Sequence, residues 1–123
     1  METDPLLERV RAACLALPEV VERMSHGTPC WFVRGKKTFV MFADHTHGDP
    51  HVAIWAAAPP GAAAQLIDDE PARFFRPPYV GGRGWLGLRL DLDGEDALDD
   101  DELRGIVVEA YRHVAPKRLS ALL

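Results

Sequence analysis

Two periods of hydrophobicity divide this chain into helices and strands. Near its start, apolar residues recur at the spacing of one helix face, namely Leu6, Leu7, Val10, Ala13, Cys14 and Leu17. This spacing predicts an amphipathic helix over residues 4–17, with Thr3 or Asp4 as its cap. The same reasoning predicts a short helix over about residues 60–70 and a last helix over about residues 100–114.

Between the helices, aromatic and β-branched residues predict strands. We expect a hairpin over about residues 30–34 and 37–43, because a short glycine-centred turn separates the two runs. A third strand is predicted at residues 51–55. A half-buried strand is predicted at residues 85–92, where leucines alternate with other residues. The segment 19–29 is predicted to be a loop.

The order of these elements and the composition indicate one α+β domain. The order α-β-β-β-α-β(β)-α favours a two-layer architecture, an antiparallel β-sheet with helices packed on one face. A chain of 123 residues with 47% hydrophobic and 27% charged residues fits a single domain over residues 1–123. No apolar run reaches the roughly 18 residues of a membrane span, and the acidic start has no signal-peptide pattern. Cys14 and Cys30 show no metal or redox spacing, so we expect reduced thiols in a cytoplasmic protein.

Six short motifs resemble a known family. In chain order they are Leu17-Pro18-Glu19-Val20, Ser25-His26-Gly27-Thr28-Pro29, Phe32-Val33-Arg34-Gly35-Lys36-Lys37-Thr38-Phe39, Pro77-Pro78-Tyr79-Val80-Gly81, Gly84-Trp85-Leu86-Gly87 and Ala110-Tyr111-Arg112. Together they resemble the MmcQ/YjbR family of small bacterial proteins over about residues 10–119. The resemblance implies an antiparallel sheet backed by helices, and a double-wing shape for which members are commonly labelled DNA-binding. It brings no catalytic residue or cofactor with it, so we expect a non-enzymatic protein.

Charge is unevenly spread along the chain. The net charge of −5 by itself disfavours nucleic-acid binding. Residues 23–89, however, hold eight lysines and arginines against five acids, a local excess of three positive charges. A local field steers a partner more than the net charge does. We therefore expect a basic surface made by six residues of two loops, Arg34, Lys36, Lys37, Arg73, Arg76 and Arg83.

Two binding functions fit this surface. Cations on exposed loops bind phosphates and aromatic rings beside them stack on bases, which predicts weak DNA binding with a log–log salt slope of roughly −4 to −5. The alternative is a cleft for an anionic small molecule or peptide, with flat apolar walls and a few polar groups. Its candidate residues are His26, Trp31, Tyr79, Arg83 and Trp85. The competing structural interpretation is that the aromatics are core residues and the hairpin tip is merely solvated.

The segment 44–51 holds three histidines and two aspartates. Imidazole and carboxylate groups suit zinc or nickel, but this spacing matches no zinc pattern, and its composition is typical of a polar turn. We therefore assign no metal, and leave metal capture by His45, His47 and His51 as a third alternative. Nucleophilic catalysis is not expected, because Cys14 lies in an apolar stripe and His26 has no evident orienting partner.

Overall fold

Within residues 4–123, the part of the chain that the computed structural model describes, a six-stranded antiparallel sheet carries helices on one face. Thr3 and the side chain of His47 lie outside the described part. The helices are α1 (Pro5–Leu15), α2 (Ala62–Asp69), α3 (Asp100–Val114) and α4 (Lys117–Ser120). The strands are β1 (Val20–Ser25), β2 (Thr28–Val33), β3 (Lys37–Asp44), β4 (Val52–Ala56), β5 (Phe74–Phe75) and β6 (Leu86–Arg89).

The strand order is β1-β2-β3-β4-β6-β5, with every neighbouring pair antiparallel. The first four strands form a meander. The chain then passes through α2 to the far edge, and β6 returns between β4 and β5. This topology confirms the predicted α+β class with an antiparallel sheet. No helix within residues 4–123 is long and apolar enough to cross a lipid bilayer.

Two predicted segments need correction. The prediction of a loop over residues 19–29 is wrong, because β1 occupies most of it. Two adjacent charges interrupt its apolar pattern, and an edge strand tolerates them. The strand predicted at 85–92 is shorter, and it is not half-buried: Gly87 and Trp85 are as buried as the leucines. The ring of Phe75 covers Gly87, where an added Cβ would lie 2.5 Å from its Cζ.

Helices α1 and α3 pack against each other and against the sheet. The Asp4 carboxylate caps α1 by accepting from the Leu6 backbone N–H at 2.9 Å, as one of the two expected caps does. Val10 and Cys14 of α1 pack in one core with the buried residues of α3, the last of which is Tyr111. The Tyr111 hydroxyl donates a 2.7 Å hydrogen bond to the carbonyl oxygen of Pro18, which ties α3 to the segment that follows α1.

An ionic network joins α1 to the sheet. The Arg11 guanidinium donates to both carboxylate oxygens of Glu22 at 2.7 and 2.8 Å. The indole N–H of Trp31 donates to the same carboxylate at 3.0 Å. The hydrogen bonds from Arg11, with a smaller contribution from Trp31, hold the pKa of Glu22 below its ordinary value although burial opposes this. Glu22 and Trp31 therefore face α1, on the helix side of the sheet.

A β-bulge in β3 changes which side its residues face. The pairing with β2 passes from Trp31↔Val40 to Phe32↔Thr38, so Phe39 is an extra residue. Both Phe39 and Val40 are fully buried. Val40 pairs with the helix-facing Trp31, while the Phe39 ring meets Tyr111 of α3 edge-on at 5.7 Å between centroids. Two consecutive residues thus enter the helix-side core.

Candidate functional site

The sheet face opposite α1 and α3 forms the floor of a cavity. Paired residues in an antiparallel sheet share a face, and one such row crosses five strands as Cys30, Met41, Trp55, Gly87 and Phe75. This row lies one residue away from the helix-facing row of Trp31 and Val40. Met41 and Trp55 of this row line a cavity of about 1090 Å³, slightly above the range typical of small-ligand sites.

Residues from loops, from strands and from the last turn of α3 line this open-face cavity. Its cations are Lys36, Lys37 and Arg83, and its imidazoles are His26 and His113. Its aromatic residues are Phe42, Trp55, Tyr79 and Trp85, and its hydroxyl residues are Ser25, Thr28, Thr38 and Thr46. Met41, Ala43, Val80 and Val114 complete the lining. The walls therefore combine flat apolar surface with hydrogen-bonding and cationic groups.

The electrostatic character of the cavity is one-sided. Three permanent cations are among its lining residues, and among the described lining residues none is an aspartate or glutamate. The chain as a whole carries a net charge of −5. A concave surface lined by one sign of charge concentrates ions of the opposite sign. The cavity is therefore suited to an anion, in contrast to the acidic remainder of the protein.

The aromatic walls differ in how they are held. Trp55 and Trp85 are 8% and 4% exposed, so they belong to the floor and are fixed by packing. The Arg83 guanidinium lies over the Trp85 ring at 5.4 Å from its centroid, within cation–π range. Tyr79 stands at the other extreme with 79% of its surface exposed. The site thus has a rigid apolar floor, a cation stacked on it and an exposed ring at the mouth.

The six predicted basic residues do not form one surface. Lys36, Lys37 and Arg83 meet at the cavity. Arg34 lies at the hairpin tip outside the lining, with its Nε 3.8 Å from the Glu19 carboxylate. Arg76 is exposed, but its side chain lies against Gly81. A Cβ added at Gly81 would be 2.5 Å from the Cγ of Arg76.

Arg73 is a correction to the predicted basic surface. The residue is 9% exposed, and its side chain points into the protein. Its guanidinium binds the Glu70 carboxylate at 2.7 Å and forms an ion pair with Glu102. A guanidinium already neutralised by two carboxylates has no free donor face for a phosphate. Arg73 therefore joins α2 to α3.

Trp31 is a correction to the predicted cleft. It is 0% exposed and faces α1, where its indole N–H is bound by Glu22. The other four predicted cleft residues line the cavity together. Trp55 of β4, two strands away from Trp31 in the sheet, lines the cavity instead. The pairing Met41↔Trp55 places it there, so hairpin register was the signal that would have found it. His113 had no such signal, because its place depends on how α3 packs.

The histidine-rich segment 44–51 forms a polar turn between β3 and β4. The His45 Nδ1 lies 2.5 Å from the Asp44 carboxylate, and the His51 Nδ1 lies 3.0 Å from that of Asp91. Asp91 also accepts from the Val52 backbone N–H at 3.0 Å. In the described part of the chain, which omits the His47 side chain, no three histidine, cysteine, aspartate or glutamate groups converge as metal ligands do.

Both cysteines are buried free thiols. Burial raises the pKa of Cys30 to about 11. Burial also raises the pKa of Cys14, with a smaller contribution from the charge of Glu22. A thiol that stays protonated at neutral pH is a poor nucleophile. The two cysteines therefore act as packing groups in this fold.

Known proteins share this architecture. The chain is similar to the Deinococcus radiodurans protein DR2400, a DUF419 domain whose crystal structure superimposes with a TM-score of 0.72 at 16% sequence identity, covering 91% of this chain and 80% of that one. At that identity the similarity concerns the fold alone. No curated protein sequence matches the chain. The family model described as YjbR matches residues 15–113, which include all six described strands and α2 in full. The chain therefore belongs to the YjbR family.

Proposed function

We propose that this protein is a non-enzymatic binding protein that takes an anionic ligand into the open-face cavity. The observation that carries the proposal is the convergence of Lys36, Lys37 and Arg83 on one concave surface whose described lining contains no carboxylate. These three cations come from a hairpin and a distant loop, and the fold brings them together on a chain of net charge −5. The concave shape and aromatic floor favour a small ligand over a flat macromolecular surface.

The expected contribution of each cation follows from Coulomb's law. Two unit charges 4 Å apart attract by about 1 kcal/mol in water and by about 4 kcal/mol at an effective dielectric constant of 20. The cavity is open to solvent, so the lower part of this range applies. Removing one cation should therefore weaken the binding of an anion by about 1–2 kcal/mol, which raises its Kd roughly 5- to 30-fold.

Calorimetric titration with pyrophosphate at low salt tests this function. We expect saturable binding that weakens as salt is added, because the contacts are exposed charges. Arg83→Gln should raise the Kd roughly 5- to 30-fold. Arg34→Gln is the matched control, since it removes the same charge from outside the cavity and should leave the Kd unchanged. Absence of binding at millimolar pyrophosphate, or equal effects of the two variants, would contradict the proposal.

A second candidate function, DNA binding, is supported by the hairpin tip. Arg34, Lys36 and Lys37 are exposed there, and the Arg23 guanidinium reaches the same turn, 3.7 Å from where a Cβ of Gly35 would lie. Cations on an exposed hairpin can follow a phosphate backbone. Three or four such contacts predict a log–log salt slope of roughly −3 for duplex DNA.

The same two variants separate the candidates. If DNA binds at the tip, Arg34→Gln should lower the affinity for a fluorescently labelled duplex, and Arg83→Gln should not. If a small anion binds in the cavity, Arg83→Gln should lower the affinity for that anion, and Arg34→Gln should not. Fluorescence anisotropy at 20–200 mM salt measures the duplex affinity and its salt slope. Duplex binding that is insensitive to salt would exclude a phosphate-backbone function for the tip.

A further inference from the structure

We propose that the cavity selects a ligand carrying both a phosphate and a planar ring, as a nucleotide does, and that Tyr79 is the residue that stacks on the ring. This inference rests on the anion-binding function proposed above and adds the chemistry of the ligand's second half. A phosphate alone would contact the cations but not the aromatic walls. The observations that carry the inference are the geometry of Tyr79 and its position among these walls.

The backbone at Tyr79 is held in a conformation that residues other than glycine rarely adopt. Its φ and ψ are 64° and −61°, the values of the rare γ-turn with positive φ. The turn is closed by a 2.7 Å hydrogen bond from the Val80 N–H to the carbonyl oxygen of Pro78. Such a conformation costs on the order of 1–3 kcal/mol and persists only where the surrounding structure enforces it.

The surrounding loop enforces this turn from both sides. Pro77 and Pro78 precede it, and each ring fixes its own φ. After it, the Gly81 N–H donates to the carbonyl oxygen of Pro77 at 3.0 Å, and the Trp85 N–H donates to that of Val80 at 3.3 Å. The loop is thereby anchored to the residue that begins the cavity floor.

The constrained turn carries an exposed aromatic ring at the mouth of a cationic cavity. Tyr79 is 79% exposed, although tyrosine is usually more buried, and it lines the same cavity as Arg83 and Trp85. Because the backbone that carries the ring is already constrained, the loop loses little backbone entropy when a ligand arrives. Planar rings stack on such surfaces with little dependence on their identity. Tyr79 is therefore placed to cover a ring whose phosphate contacts Lys36, Lys37 or Arg83.

The test compares a ring-bearing phosphate with a ring-free one. Adenosine 5′-monophosphate should bind the wild-type protein roughly 5- to 100-fold more tightly than ribose 5-phosphate, the range that stacking of one base gives. Tyr79→Ala should reduce this ratio towards one, chiefly by weakening the binding of adenosine 5′-monophosphate. Tyr79→Phe should preserve the ratio, because it keeps the ring. A five-nucleotide single strand distinguishes the source of the chemistry: tighter, salt-dependent binding indicates a nucleic-acid strand, and no gain over the monophosphate indicates a free nucleotide.

Each outcome has a defined meaning. Equal binding of the two phosphates, or a ratio that Tyr79→Ala leaves intact, overturns the ring inference while leaving the anion-binding function in place. Binding of neither phosphate, with no binding of pyrophosphate, overturns the anion-binding function and the inference with it. Because Tyr79 is exposed, its variants are expected to fold, and a thermal melt of each confirms this.

Discussion

Replacing Glu22 with glutamine is expected to destabilise the fold by about 2 kcal/mol at neutral pH. The carboxylate accepts two hydrogen bonds from Arg11 and one from Trp31. The side chains of Arg11 and Glu22 are 29% and 22% exposed, so the pair lies between the exposed and fully buried cases. Exposed pairs contribute up to about 1 kcal/mol, and breaking a buried pair costs about 3–5 kcal/mol.

The assay is urea denaturation at several pH values, with a thermal melt as a second measure. For a domain of this size, about 2 kcal/mol corresponds to a fall in Tm of roughly 6–10 °C. Glu8→Gln is the matched control, because Glu8 also pairs with Arg11 but its side chain is 47% exposed. That variant should lose less than about 0.5 kcal/mol.

The pH dependence provides the sharper test. The pKa of Glu22 is lowered in the folded state, chiefly by Arg11, so its stabilisation is fully present above the unfolded pKa of about 4.3. The stabilisation is lost as pH falls through the folded-state pKa. The difference between wild type and Glu22→Gln should therefore be constant from about pH 6 to 8 and should shrink towards pH 3. A difference that persists undiminished at pH 3, or a loss at pH 7 no larger than that of Glu8→Gln, would refute the ionic explanation.

Three further predictions concern the core. Gly87→Ala should cost about 1–3 kcal/mol in urea denaturation, because the new Cβ would lie 2.5 Å from the Phe75 ring; an unchanged midpoint would show that the ring moves freely. Tyr111→Phe should cost about 1–2 kcal/mol, because it leaves the Pro18 carbonyl without its 2.7 Å donor, and no loss would mean that water replaces the hydroxyl. Cys30, whose pKa burial raises to about 11, should react with a thiol reagent at pH 8 only after denaturant is added; rapid labelling of the folded protein would contradict this.

The fold was largely predictable because its main elements have local signatures. The apolar stripes of the first and last helices and the glycine-centred hairpin each depend on residues close in sequence. Strand β1 was missed because Glu22 and Arg23 interrupt its pattern. Glu22 is stabilised there by Arg11 of α1 and by Trp31 of β2, contacts that no local pattern contains.

The cavity was predictable in its residue types and less so in its membership. Tyr79, Arg83 and Trp85 were identified because cations and aromatics cluster in a loop rich in glycine and proline. Trp31 and Arg73 were included wrongly, since a single sequence shows neither which face a tryptophan occupies nor which carboxylates neutralise an arginine. Strand register decides the first, and the packing of α2 against α3 decides the second.

The extra residue at Phe39 adds a ring to the helix-side core without changing the side that Thr38 faces. Before the bulge and after it, β3 follows opposite alternation, which is why Thr38 can face the cavity while Phe39 and Val40 both face the helices. Deleting Phe39 would therefore leave Thr38 paired with Phe32 and facing the cavity, and would remove from the core only the ring that meets Tyr111. We expect a homologue without this insertion to keep the anion site and to show the loss in its stability instead.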